Sequence, residues 1–131
     1  MIIDTNIFLE VILEQEKSEE CKIFLREILE GNKRAFISTF SIDSIVLAMM
    51  RNNINCEKIE IFLKSLYKYK GLGFYQIKIN DRINVFLFMN KYKLDYDDAL
   101  VAQTAIATGS KEIVSFDKHF DKVKEIRRIE P

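Results

Sequence analysis

The chain opens on three apolar positions, Met1, Ile2 and Ile3, and turns polar at Asp4, Thr5 and Asn6. A short apolar run that stops at a carboxylate predicts a buried strand with an acid at its C-terminal end, where α/β proteins place their chemistry. From Ile7 to Glu14 the pattern suits a short helix, and Ser18 reads as the N-cap of a second one. In that second helix Cys21, Phe24, Leu25, Ile28 and Leu29 fall on one helical stripe. Gly31 is placed to stop it. Ala35 to Ser38 predicts a strand, and Thr39 to about Arg51 a helix opening in a Ser/Thr-rich turn. Asn55 is the expected cap of a helix whose face is Ile59, Phe62, Leu63, Leu66 and Tyr67.

Gly71-Leu72-Gly73 is expected to end that helix and release a strand over Phe74 to Ile79. Asn80 then caps a helix through Tyr92, and Asp95 caps one running through Thr108 to Gly109. The opening motif returns at Glu112 to Ser115, a short apolar strand that leads into Asp117. A turn over Phe116 to Phe120 follows, and Ile126 to Ile129 adds an edge strand. Strands alternating with helices predict an α/β fold, a three-layer α/β/α sandwich on a mostly parallel sheet of four or five strands. All strands of such a sheet end on one edge, so Asp4 and Asp117 can meet although they stand near opposite ends of the chain.

Composition narrows the reading without redirecting it. The 131 residues, with one Pro, four Gly and no biased segment, suit a single domain over 1–131 with one core. No apolar run approaches the roughly 20 residues of a membrane span, and the start lacks the pattern of a signal peptide, so a cytoplasmic protein is expected. Cys21 and Cys56 are then expected as reduced thiols, with Cys21 in the core. Twenty basic and 20 acidic residues cancel, which leaves no global field for nucleic acid and requires any such site to be local. Lys64, Tyr67, Lys68, Tyr69 and Lys70 are one candidate, although lysines at a helix end also complement its dipole. Lys118, Arg127 and Arg128 are alternative phosphate contacts.

The candidate chemistry is carboxylate chemistry. Asp4 reads equally as a helix cap or a ligand; Asp98 opens an Ala-rich helix whose small residues at Ala102 and Ala105 let it approach the sheet; Asp117 follows the later strand; Asp43 lies in the helix after the second strand. Asp95 and Asp97 read as capping or solvated. If the acids converge, their repulsion calls for a divalent cation or a proton. Other chemistries find little support: His119 is read as a surface residue, no Ser or Cys sits in a nucleophile elbow, and no phosphate-binding Gly loop, CxxC or HExxH is present. An aspartyl-phosphate enzyme would want a second Asp two residues after Asp4, where Asn6 stands.

The ordered set Ile2-Ile3-Asp4-Thr5-Asn6, Ile37-Ser38 before a helix with an acid, Asp98-Ala99-Leu100-Val101-Ala102-Gln103-Thr104-Ala105 and Ile113-Val114-Ser115-Phe116-Asp117-Lys118-His119-Phe120 resembles the PIN domain, in particular its small VapC-type toxins. The resemblance covers essentially the whole chain. It implies a ribonuclease whose carboxylates hold Mg²⁺ or Mn²⁺, with Asp4, Asp98 and Asp117 as metal-binding acids and Thr5, Asn6 and Ser115 as supporting polar groups. The family's second acid is usually a Glu on the helix after strand two; Asp43 is the nearest substitute here. The resemblance further implies an RNA substrate, a homodimer and a cognate antitoxin. Ile83 to Met89 is apolar enough to serve as a dimer surface or to be buried in the core. Three functions stay open: a ribonuclease toxin, a housekeeping nuclease in RNA processing, and a catalytically weakened binding module.

Overall fold

The computed structural model describes residues 1–131. Five strands, β1 (Ile2–Ile3), β2 (Ala35–Ser38), β3 (Leu72–Tyr75), β4 (Glu112–Val114) and β5 (Arg127–Ile129), form one sheet in the order β3-β2-β1-β4-β5. Every neighbouring pair is parallel. Six α-helices connect them: α1 (Thr5–Ile12), α2 (Ser18–Glu30), α3 (Thr39–Arg51), α4 (Cys56–Leu66), α5 (Ile79–Tyr92) and α6 (Tyr96–Ala107). A 3-10 helix at Lys118–Lys122 joins β4 to β5.

Successive strand residues face opposite sides of a sheet, and this sheet is buried on both. Ile3 and Val114 pack with Ile7, Phe24, Ile28 and Ile45 of α1, α2 and α3. Ile2 and Ile113 pack on the other side with Val85 of α5 and with Leu100 and Ala102 of α6. The three layers are therefore those expected. Cys21 lies in the first core, Cys56 is exposed, and both are free thiols.

The strand order positions the site. The chain steps from β1 outward through β2 to β3, then returns across the sheet to place β4 on the other side of β1. This reversal leaves a crevice beyond the C-terminal ends of β1 and β4, the place where open α/β sheets bind ligands. Ile2 pairs with Ile113 and Ile3 with Val114, so the residues that follow, Asp4 and Ser115, emerge side by side.

Several boundaries differ from expectation for local physical reasons. Helix α1 begins at Thr5, directly after the Asp4 cap. Ser18 is the first residue of α2 and makes no capping bond; the preceding Lys17 N–H goes to Glu10 instead. Strand β3 begins at Leu72 rather than Phe74, because the two glycines expected to break a helix serve close approach. A Cβ on Gly71 would lie 2.0 Å from the Lys33 carbonyl oxygen, and one on Gly73 would lie 2.6 Å from the Phe36 ring. Tyr67 does not join the apolar face of α4 and is 86% exposed.

Asn80 does not cap α5. Lys78 holds the N-cap position, and Asp81, the third residue of the helix, closes the first turn by accepting the Lys78 N–H at 2.8 Å, together with the Tyr75 hydroxyl at 2.9 Å and the Gln103 amide at 3.2 Å. Burial opposes the charge on Asp81, but these donors outweigh it and hold the carboxyl below its usual range. An acid lowered in this way contributes stability above its unfolded value near 3.8 that is lost as pH falls through the lower folded value. Tyr75→Phe removes one donor from this network and is expected to destabilise the fold by about 1 kcal/mol at neutral pH. Urea unfolding at pH 7 and in strong acid checks this, with the difference shrinking once Asp81 is protonated.

Candidate metal and nuclease site

Asp4 is 8% exposed and has both carboxylate oxygens engaged. Its Oδ1 accepts the Thr5 N–H at 2.7 Å, and its Oδ2 accepts the Ser115 hydroxyl at 2.6 Å. The direction of that second bond is fixed by bookkeeping on Ser115. Its Oγ already accepts the Asn6 side-chain N–H and the Asp117 backbone N–H, each at 2.9 Å, so both lone pairs are used and the hydroxyl proton must go to Asp4. One fully buried serine thus orders Asp4, Asn6 and the turn that carries Asp117.

Asp98 arrives on α6, whose Ala102 and Ala105 are fully buried against the core. The small side chains let the helix lie close to the sheet ends, as the sequence indicated. Burial raises the pKa of Asp4 from 3.8 to about 6; the Ser115 and Thr5 donors pull it down, and the charges of Asp98 and Asp117 push it up again. Asp98 is raised too, by burial and by Asp117, with His119 opposing. Two acids near one another and held above their ordinary range mark a place prepared for positive charge.

A cleft of about 220 Å³ gathers Asp4, Thr5, Asn6, Phe40, Ser44, Asp97 and Asp98. Asp117 joins through Asp98: one donor atom from each of Asp98, Asp117 and His119 lies within 4.8 Å of the others. Wider grooves exist, including an apolar one of about 560 Å³ lined by Ile12, Met49, Ile54 and Ile61. It has no converging carboxylates, so chemistry rather than volume identifies the site.

Asp4, Asp98 and Asp117, with Thr5, Asn6 and Ser115, therefore come together. Asp43 does not line the cleft: it is exposed on α3, and Ser44 stands there in its place. Phe40 and Ser44 are four residues apart and share a helix face, whereas Asp43 is rotated about 100° from Ser44. Asp97, expected to be solvated away from the site, lines its mouth. His119 is exposed as expected, yet its Nδ1 lies 3.2 Å from Asp117 and 3.5 Å from Asp98. Its position two residues after Asp117 in a tight turn was the available signal. Arg128 is not a free phosphate contact, since Asp121 and Glu130 occupy its guanidinium. Arg127 pairs with Glu112.

The PIN domain family matches residues 1–126. No curated protein matches the sequence. Among solved structures, the chain is similar to VapC20 of Mycobacterium tuberculosis, described as a sarcin-ricin loop cleaving toxin, with a TM-score of 0.78 at 10% identity over 99% of this chain and 98% of that one. A toxin-antitoxin complex from Klebsiella pneumoniae gives a TM-score of 0.72 at 17% identity, covering 95% of this chain and 93% of that one. VapBC2 from Rickettsia felis, bound to a DNA fragment from its promoter, gives 0.70 at 17% identity, covering 98% and 96%. At these identities the likeness is one of fold.

Proposed function

Because this chain belongs to the PIN domain family, we propose that its acidic cleft hydrolyses RNA phosphodiesters with a divalent metal ion, as the cytoplasmic toxin of a toxin-antitoxin pair. The observation that carries this reading is the convergence of Asp4, Asp98 and Asp117 beside a buried acceptor without a donor. Asn6 gives its amide N–H to Ser115, and its Oδ1 is buried with no hydrogen-bond partner. An unsatisfied buried carbonyl beside carboxylates suits a metal's water ligand.

The residues fit a hard divalent ion. Asp4, Asp98 and Asp117 supply oxygen donors, His119 adds one imidazole, and no thiolate is near, a set suited to Mg²⁺ or Mn²⁺ rather than to a soft metal. When bound, such an ion supplies an acidic water and offsets charge building on the phosphate. The chain's own part is positional. Asp4 stays fixed by Thr5 and Ser115, Asn6 offers an acceptor to a water proton, and α6 holds Asp98 against the sheet ends. RNA as substrate is supported by the VapC20 description, and an antitoxin partner by the toxin-antitoxin complexes of the same fold. A homodimer is supported by the exposed apolar face of α5, where Ile83, Phe86 and Leu87 stand at 55% exposure or more. No helix is long and apolar enough to cross a membrane.

Incubating the protein with structured and unstructured RNA in Mn²⁺ tests the reading; cleavage stopped by EDTA supports it, and none under any metal removes it. The missing second acid favours a second reading, a binding module with weakened catalysis. Ser44→Glu separates the two, since it restores a carboxylate to the cleft. It is expected to tighten Mn²⁺ binding by about tenfold by calorimetry. A cleavage rate that rises with it assigns the weakness to that position.

A further inference from the structure

We propose that Arg128 is a positioning residue for the acidic cleft: from the edge strand β5 it fixes the Ser115 turn, and through that turn Asp4 and Asp117. Arg128 lies beyond the residues matched by the PIN family, which end at 126. Its side chain is 13% exposed and reaches across the end of β4. Nη1 donates to the Ser115 carbonyl at 2.9 Å and to Glu130 at 2.8 Å, while Nε donates to Asp121 at 2.7 Å. One guanidinium thereby ties together the turn after β4, the 3-10 helix and the C-terminal strand.

The geometry of Ser115 makes this consequential. Its N–H is held by the Ile129 carbonyl at 3.0 Å, so β5 grips both sides of the residue, the amide through its backbone and the carbonyl through Arg128. With the peptide fixed, Oγ is aimed at Asp4 and receives the Asp117 N–H. The tie to Asp121 anchors the same 3-10 helix that places His119 beside Asp98 and Asp117. A lysine carries the charge but is a point donor without a planar fork, and cannot span the carbonyl and Asp121 in one fixed arrangement.

The kinetic arm of the test rests on the nuclease reading; the second arm does not. In RNA cleavage with Mn²⁺, Arg128→Ala is expected to lower kcat roughly 10- to 100-fold with KM nearly unchanged, the loss typical of an outer partner of metal ligands. Arg128→Lys is expected to restore the melting temperature without restoring kcat, and Asp121→Asn, at an exposed carboxylate, to give a smaller loss of the same kind. Independently of activity, hydrogen exchange at the Asp117 amide is expected to quicken about tenfold or more in Arg128→Ala, beyond the change in core amides. A rise in KM at constant kcat would make Arg128 an RNA contact and overturn the proposal, as would full recovery of kcat by Lys. If the wild type cleaves nothing, the nuclease reading fails, and Asp117 exchange alone decides: unchanged protection overturns the positioning role.

Discussion

Asp4→Asn is expected to abolish RNA cleavage and, at neutral pH, to make the metal-free fold slightly more stable. The loss follows from the site: Asp4 is the buried acid on which Thr5 and Ser115 converge, and Asn carries no charge for a cation. Cleavage should fall by more than the roughly 10- to 100-fold that loss of an outer partner costs. The gain follows from linkage. The Asp4 carboxyl is raised from 3.8 to about 6, so the native state binds more protons than the unfolded chain between those values. Stability contributed by this group therefore falls as pH rises from about 4 to 6, and the deficit is complete above that window. At about 1.4 kcal/mol per pH unit, ionised Asp4 costs the fold about 3 kcal/mol at pH 7. Asn recovers only part of this, because its amide must either face the Ser115 hydroxyl donor to donor or turn away from Thr5. A net gain of about 1 kcal/mol is expected. Thermal unfolding from pH 3 to 8 checks it: the wild type should lose more stability across the window than the variant, which keeps the raised Asp98 but not Asp4.

Ser115→Ala is the second large effect, and it costs both stability and activity. Ala leaves the Asn6 amide and the Asp117 N–H without their acceptor at a fully buried position. At about 1–3 kcal/mol for each of the two unsatisfied donors, the expected loss is about 2–6 kcal/mol by urea denaturation. Asp4 also loses the donor that most lowers its pKa, so it should hold its proton to higher pH than the wild type. The pH at which Mn²⁺ begins to bind should move up accordingly. Cleavage at pH 7 is expected to drop 10- to 100-fold, and to recover partly in Ser115→Thr, which keeps the hydroxyl.

These contrasts show what the chain discloses before folding. Asp4, Asp117 and Ser115 were legible because each stands at the end of a short apolar strand, and a parallel sheet brings such ends together whatever their separation in sequence. The boundaries of β2 and α3 were legible for a related reason: Ser38 both ends a strand and caps the helix, its Oγ accepting the Ser41 N–H at 3.0 Å. The choice between Asp43 and Ser44 was not, since neighbours on a helix differ by 100° and the face is set by packing. Asp97 and His119 were missed because each acts beside a residue already chosen, and nothing in a single sequence says which exposed polar group leans into a cleft. Gly71 and Gly73 misled because glycine is read first as a breaker, while here it makes room for a carbonyl and a ring. Asp81 rather than Asn80 secures the first turn of α5, helped by partners on β3 and α6 that no local pattern reveals.

Cleavage of RNA in this cleft by water made reactive by a divalent ion leaves a chemical signature on the product. The most direct measurement is the chemistry of the product ends after incubating the purified protein with RNA in Mn²⁺, with EDTA and Asp4→Asn as controls. Metal-dependent cleavage is expected, lost in the variant, with no 2′,3′-cyclic phosphate ends, because water rather than the ribose 2′-hydroxyl is the nucleophile. Cyclic phosphate ends formed equally in EDTA, or cleavage undiminished in Asp4→Asn, would contradict it.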